Sequence, residues 1–160
     1  MIKLIIADDH NIIRQGLRLI LETEEDFDIV AEASDGAEAV ALCTEHNPDV
    51  VLMDLRMPGM DGLTAIEKLR ETQPEIAVVI LTTFNEDEMM LRGLQAGARG
   101  YLLKDTERAA LFDTIRAAAR GETLLKPEIM ARVLATAGSG QRAFETEGDI
   151  SLTEREMEVL

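Results

Sequence analysis

Val50-Val51-Leu52-Met53-Asp54-Leu55-Arg56-Met57-Pro58-Gly59-Met60-Asp61-Gly62 is the stretch on which the rest of the chain is organised. Its first four residues are apolar and begin with two adjacent valines, the composition of a parallel strand buried on both faces. The run ends on a carboxylate, Asp54, and Pro58-Gly59 and Asp61-Gly62 are turn signals for the loop that follows. Open parallel sheets hold their ligands in the crevice beyond the carboxyl ends of the strands, so Asp54 is the candidate reactive residue.

Four more apolar runs flank this one. Ile2–Ala7 ends on Asp8-Asp9, Phe27–Ala33 on Ser34-Asp35-Gly36, Ala77–Thr82 on its own hydroxyl with Thr83 beside it, and Gly100–Leu103 on Lys104. Between them the apolar residues recur at helical spacing. Helices are predicted over Asn11–Glu22 (apolar Ile12, Ile13, Leu17, Ile20 and Leu21) and Ala37–His46 (Val40, Leu42 and Cys43 inward). Three more are predicted over Leu63–Glu71, Glu86–Ala96 and Glu107–Arg120, the last with Leu111, Phe112, Ile115 and Ala119 on one face. Pro74 stops the third, because proline disfavours helix in the residue ahead of it. Gly97 is a candidate C-cap for the fourth. Strand and helix alternate five times with short connections, which predicts an α/β fold with a doubly wound, five-stranded parallel sheet. Of the few orders that right-handed crossovers allow, 2-1-3-4-5 sets the first and third strands side by side. The glycine fingerprint of a dinucleotide-binding fold is missing after the first strand, where carboxylates would repel a pyrophosphate.

A chain of 160 residues can bury one substantial core and carry a short appendage. Sixteen basic residues against 31 acidic ones give a formal net charge of -15, a surface that repels nucleic acid and makes this piece a poor DNA binder by itself. No apolar run approaches the ~20 residues of a membrane span and no signal-peptide pattern opens the chain, so a cytoplasmic location without membrane attachment is expected. Cys43 is the lone cysteine, which excludes an internal disulfide or a cysteine metal cluster, and its place on an apolar helix face reads as core.

In the 2-1-3-4-5 order, Asp8, Asp9 and Asp54 meet at one pole of the sheet. Three carboxylates a few ångströms apart raise the cost of each other's ionisation unless a cation lies among them. A hard divalent ion answers this. Mg²⁺ takes oxygen ligands, commonly one or two carboxylates together with a substrate phosphate. Thr82 brings a hydroxyl and Lys104 an ammonium to the same rim, which suits a phosphoryl group whose transfer needs in-line placement and neutralisation of its oxygens. A carboxylate nucleophile would yield an acyl phosphate. His10 stands beside the two acids, but His46, at a helix end ahead of Asn47-Pro48, offers no second imidazole nearby, and no transition-metal site is expected.

The set Asp8-Asp9, Asp54, Thr82 and Lys104 at these spacings resembles the receiver domain of two-component response regulators, over about residues 1–121. The resemblance implies that Asp54 accepts phosphate from a sensor histidine kinase. It implies that Asp9, Asp54 and the backbone carbonyl of Arg56 hold Mg²⁺ directly, with Asp8 helping through water. It also implies that Thr82 and Tyr101 form the switch that reads the phosphate while Lys104 contacts it, and that phosphorylation favours a homodimer. Such a domain catalyses its own Mg²⁺-dependent phosphorylation and dephosphorylation and is otherwise not an enzyme. Many receivers have Lys-Pro where this chain has Lys104-Asp105, which leaves the geometry of that peptide open.

Beyond Gly121 the pattern changes. Lys126-Pro127 and the apolar Ile129, Met130, Val133 and Leu134 predict a sixth helix over about 128–137, and the small and polar residues 138–148 read as a linker, so that 122–150 form an extra helix and connection. Thr153-Glu154-Arg155-Glu156 has capping-box spacing ahead of Met157, Val159 and Leu160. With Asp8-Asp9-His10 and Lys104-Asp105, this string resembles the NarL/FixJ-like subgroup, whose output is a LuxR-type helix-turn-helix domain. Residues 151–160 are then expected to be the start of that DNA-binding domain, most of which is not in this sequence. Two other functions compete. An aspartyl-phosphate phosphohydrolase would need an acid two residues after Asp54, where Arg56 stands. A receiver-like module that binds partners without phosphate would have no use for an intact acid pair, acceptor and lysine.

Overall fold

The strand that ends on Asp54 lies at the centre of the sheet. In the computed structural model, which describes residues 1–82, 87–104, 106–123, 131 and 134, β3 (Val50–Met53) is buried at all four positions. On one side it pairs in parallel with β1 (Ile2–Ala7), which pairs in turn with β2 (Phe27–Ala33). On the other it pairs with β4 (Ala77–Thr82), which is followed by β5 (Gly100–Leu103). The order β2-β1-β3-β4-β5 is the one predicted. Five helices alternate with the strands: α1 (Asn11–Leu21), α2 (Gly36–His46), α3 (Gly62–Thr72), α4 (Asp87–Gln95) and α5 (Arg108–Ala119).

Strand side chains alternate between the two faces of a sheet. Leu4, Ile6, Val50, Leu52, Val79, Leu81 and Leu102 join Leu21 of α1 and Leu111, Phe112, Ile115 and Ala118 of α5 in one core cluster. The intervening buried residues, among them Ile5, Val51, Val78, Ile80 and Tyr101, face the other way, where α2 contacts β1 and β2 and α4 contacts β5. Thr82 and Tyr101 share the parity of this second face.

The helix starts follow from local chemistry. Asp35 caps α2 by accepting a hydrogen bond from the Glu38 N–H at 2.7 Å, and Glu38 reaches back to the Ser34 N–H at 2.8 Å. Asp61 caps α3 through the Thr64 N–H at 2.9 Å. Gly97, at a φ of 119°, follows α4 as expected of a C-terminal glycine. Two expectations are corrected. Ile12, assigned to the apolar stripe of α1, is 82% exposed, and Ala119 is exposed at the end of α5, where Ala118 and Thr114 turn inward in its place. Ile12 lies in line with Leu19, about two turns further on and 70% exposed, so it belongs to the outer face of α1, while Ala119 is the last residue of α5.

The chain divides after Leu125 into two units. Of the second, Lys126–Leu160, only Ala131 and Leu134 are described, both helical and exposed. Thr83, the acidic start of the fourth helix at Glu86, Asp105 with the peptide that precedes it, the linker 138–148 and the helix-turn-helix start at 151–160 lie outside the described residues, as does most of the sixth helix.

Candidate functional site

Register brings the strand ends together. Ala7 lies opposite Met53, and the Asp54 N–H donates to the Ala7 carbonyl at 2.9 Å, so the residues that follow, Asp8 and Asp54, leave adjacent strands at the same pole. Thr82 lies opposite Leu103, and the Lys104 N–H donates to the Thr82 carbonyl at 2.8 Å, which puts the ammonium-bearing residue one step beyond on the same rim.

The side chains converge as the strand ends do. Lys104 Nζ lies 3.2 Å from Asp54 Oδ2 and is ion-paired with Asp8 Oδ2. Asp8 thus divides its oxygens: Oδ2 faces the lysine, while Oδ1 accepts from the His10 backbone N–H at 2.9 Å and lies 3.1 Å from His10 Nδ1. Asp9 Oδ1 is 3.0 Å from the same imidazole nitrogen. The Arg56 N–H donates to Asp54 Oδ1 at 3.3 Å. One ligand atom each from Asp8, Asp9, His10 and Asp54 lies within 4.8 Å of every other.

Asp8 and Asp54 are buried to 1% and 5% exposure, while Asp9 opens to solvent. Burial pushes the Asp54 carboxyl above its ordinary range; the nearby Lys104 ammonium opposes that rise and the Asp8 carboxylate adds to it. Asp8 and Asp54 share the Lys104 ammonium, and with Asp9 beside them the cluster holds more carboxylates than that ammonium pairs with. The donor set is dominated by hard carboxylate oxygens, which fits Mg²⁺ or another small divalent ion, and the acids that could hold it are Asp8, Asp9 and Asp54.

Thr82 is buried where β4 ends, and Tyr101 of β5 is buried at 1% exposure. Arg56 is exposed, while its neighbours Leu55 and Met57 are buried. All seven residues singled out in the sequence therefore lie at or just below one pole.

Two glycines that sequence reasoning passed over hold the loop that carries Asp54. The Gly62 N–H donates to the Leu55 carbonyl at 3.0 Å, and a Cβ at Gly62 would overlap the Asp54 carbonyl oxygen and come within 2.8 Å of Leu55 Cα. The Gly36 N–H donates to the Met60 carbonyl at 2.9 Å, and a Cβ there would stand 2.5 Å from that oxygen. Both contacts are between backbones, so no side chain can yield. The signal was present as Asp-Gly pairs at two helix starts, where it reads as turn chemistry; the close approach is a tertiary fact. His10 was also set aside for want of a second histidine, and only the fold shows its Nδ1 turned onto both acids.

The chain is 44% identical over 160 residues to the transcriptional regulatory protein YdfI of Bacillus subtilis, covering all of this chain and 74% of that protein. It is 41% identical over 161 residues to LiaR of the same organism, covering all of this chain and 75% of LiaR. It is 38% identical to the response regulator VraR of Staphylococcus aureus, over 99% of this chain and 74% of VraR. Among solved structures, a LuxR-family two-component response regulator from Aurantimonas superposes with a TM-score of 0.81 at 32% identity, over 86% of this chain and 99% of that one. The response regulator receiver domain family matches residues 4–116, so the pole where Asp8, Asp9, Asp54 and Lys104 meet lies within the matched span, and the chain belongs to that family.

Proposed function

We propose that this chain is the receiver part of a transcription-regulating response regulator and that Asp54 is its phosphoacceptor. The observation that carries the reading is the Lys104 ammonium set between the buried carboxylates of Asp8 and Asp54, 3.2 Å from the latter. A nucleophile poised beside a fixed positive charge is what phosphoryl transfer requires. An Asp54 Oδ attacks phosphorus in line, the bond from phosphorus to the imidazole nitrogen of a kinase phosphohistidine breaks, and the acyl phosphate forms on Asp54. Lys104 then exchanges its carboxylate contact for a phosphoryl oxygen. Thr82, at the end of the neighbouring strand, donates its hydroxyl to another in this reading.

Asp9 and Asp54, with the Arg56 carbonyl, would hold Mg²⁺, and Asp8 would act on it through water. The bound ion would neutralise charge on the phosphoryl oxygens. Thr82 and Tyr101 share a sheet face with α4, so a hydroxyl drawn towards phosphate would change what that face presents. Phosphate contacts supply the free-energy difference between two states of the domain, and the preferred state is a homodimer. The receiver spans residues 1–121 and the connecting helix and linker 122–150. The output is a LuxR-type DNA-binding domain that begins near Ser151. DNA is contacted only through that domain, because the receiver surface is strongly acidic. The names of the relatives support a transcriptional role. No helix among the described residues is long and apolar enough to cross a membrane, in keeping with a cytoplasmic regulator.

Beryllofluoride, a phosphoryl stand-in, tests this with Mg²⁺ present. Amide spectra are expected to show tight binding and shifts at Thr82 and Lys104 in the wild-type chain and none in Asp54→Asn. An equal response in the two chains would refute the assignment. Turnover of a small phosphate ester by the chain would favour a phosphohydrolase instead, against which Arg56 stands two residues after the nucleophile.

A further inference from the structure

At the pole opposite Asp54, where β4 and β5 begin and α3 and α4 end, lies a cavity of about 390 Å³, within the range of about 300–1,000 Å³ usual for small-molecule sites. Its floor is apolar: Ile66 and Leu69 of α3 meet Ile76 and Val78 around the start of β4, and all four are buried. Two guanidinium groups stand on its wall, those of Arg70 and Arg99. Neither has a carboxylate partner among the described residues, in a chain with 31 acidic side chains. Arg14, Arg18 and Arg116, by contrast, are each ion-paired with a glutamate or an aspartate. Arg70 Nη1 donates to the Gln95 carbonyl at 3.1 Å and Arg99 Nη1 to the Gly121 carbonyl. Each group is thus fixed by one main-chain contact and keeps the other N–H groups of its fork. Gly97, at a φ of 119°, lets the first lie close to the backbone: a Cβ there would stand 3.3 Å from Arg70 Nη1.

We propose that this cavity binds a small carboxylate with an apolar body, an aryl or medium-chain alkyl acid, its charged end on the wall formed by Arg70 and Arg99 and its body on the floor of Ile66, Leu69, Ile76 and Val78. Charge decides the class of ligand. A guanidinium fork matches a carboxylate in two parallel hydrogen bonds. The carboxyl ends of α3 and α4 carry partial negative charge, so an anion is admitted here only because the two guanidinium groups outweigh it. Capping the end of α4 is the structural role of Arg70, and it takes one N–H. The floor decides the rest, because a bare inorganic anion would bury none of its apolar surface. The cavity shares no residue with the acid pole, so this inference goes beyond the reading of Asp54 and stands apart from it.

Titration of the whole 160-residue chain with cinnamate, followed by calorimetry and by amide spectra, tests the proposal. Saturable binding is expected, with shifts at Val78, Ala98 and Arg99 and none at Asp8 or Asp54. Cinnamamide keeps the apolar body and drops the charge; it is expected to bind at least roughly tenfold more weakly, the worth of one charge-assisted hydrogen bond. Inorganic phosphate is expected to produce none of these shifts. Arg99→Gln should weaken cinnamate binding by a similar factor and Arg99→Lys by less, whereas Asp54→Asn should bind it as the wild-type chain does. No binding by the wild-type chain, equal binding of the amide, the same shifts from phosphate, or shifts confined to the acid pole would overturn the proposal. So would a short peptide ending in leucine that binds where cinnamate finds no site, a result that assigns the cavity to a protein partner.

Discussion

Lys104 is where the electrostatics of the pocket balance. Its side chain is nearly buried and is the ammonium paired with both Asp8 and Asp54. Removing one partner of a buried ionic cluster leaves uncompensated charge and costs several kcal/mol. Lys104→Ala is therefore expected to lose about 3 kcal/mol of stability by denaturant titration without divalent ions, and to regain part of it in Mg²⁺, because the added cation takes over the neutralising role. A loss unaffected by Mg²⁺ would mean that the lysine and the ion do not share these acids. Cys43 is the opposite case, a residue whose chemistry is switched off. Burial pushes its thiol up to about 12, so at pH 8 almost none of it is thiolate. Mass spectrometry after treatment with an alkylating reagent is expected to find the folded chain unmodified and the denatured chain modified once. Both residues were legible in the sequence, Lys104 by its place at a strand end and Cys43 by its place on an apolar helix face.

The β3–α3 connection is the element that aims Asp54. Because the backbone of Gly62 rests against that of Asp54 and Leu55, Gly62→Ala must push the loop away from the strand end, and overpacking of this kind costs about 1–3 kcal/mol. The variant is expected to unfold earlier in denaturant and to bind beryllofluoride with Mg²⁺ more weakly, whereas Gly59→Ala, which meets open space but stands at a φ of 69°, should lose stability with little change in binding. Elsewhere, α5 is clamped to the α1–β2 connection by Arg116. Its guanidinium reaches Asp26 at 2.9 Å and Glu24 at 2.6 Å and lies over the Phe27 and Phe112 rings. The Arg116 hydrogen bonds hold the Asp26 carboxyl below its usual 3.8. A depressed carboxyl pKa stabilises the fold above the unfolded value, and that stability is lost as pH falls through the folded value. The stability gap between wild type and Arg116→Gln is thus expected to be full near neutrality and to narrow below pH 3.8, leaving the part that comes from packing on the two rings. A gap constant with pH would assign the whole effect to packing.

Among the described residues the extent of each strand and helix was readable to within a residue or two, because a fully buried parallel strand and a half-buried helix write different periods into the chain. What escaped the reading depended on neighbours far apart in sequence. Gly36 and Gly62 are needed because two backbones meet, a close approach that only the fold creates. The convergence of Asp8, Asp54 and Lys104 was legible because chain order and right-handed crossovers together leave few places for strand ends to go.

At the scale of the molecule, four of the five strands deliver acids, hydroxyl and ammonium to one pole, where Asp54 is the carboxylate proposed to take the phosphoryl group. The most direct measurement is to incubate the chain with a small acyl phosphate and Mg²⁺, then locate the label by mass spectrometry after reductive trapping of the acyl phosphate. A single label on Asp54, lost when Mg²⁺ is chelated beforehand and absent in Asp54→Asn, is the expected result. A folded chain that takes no label, or takes it on another residue, would contradict the account.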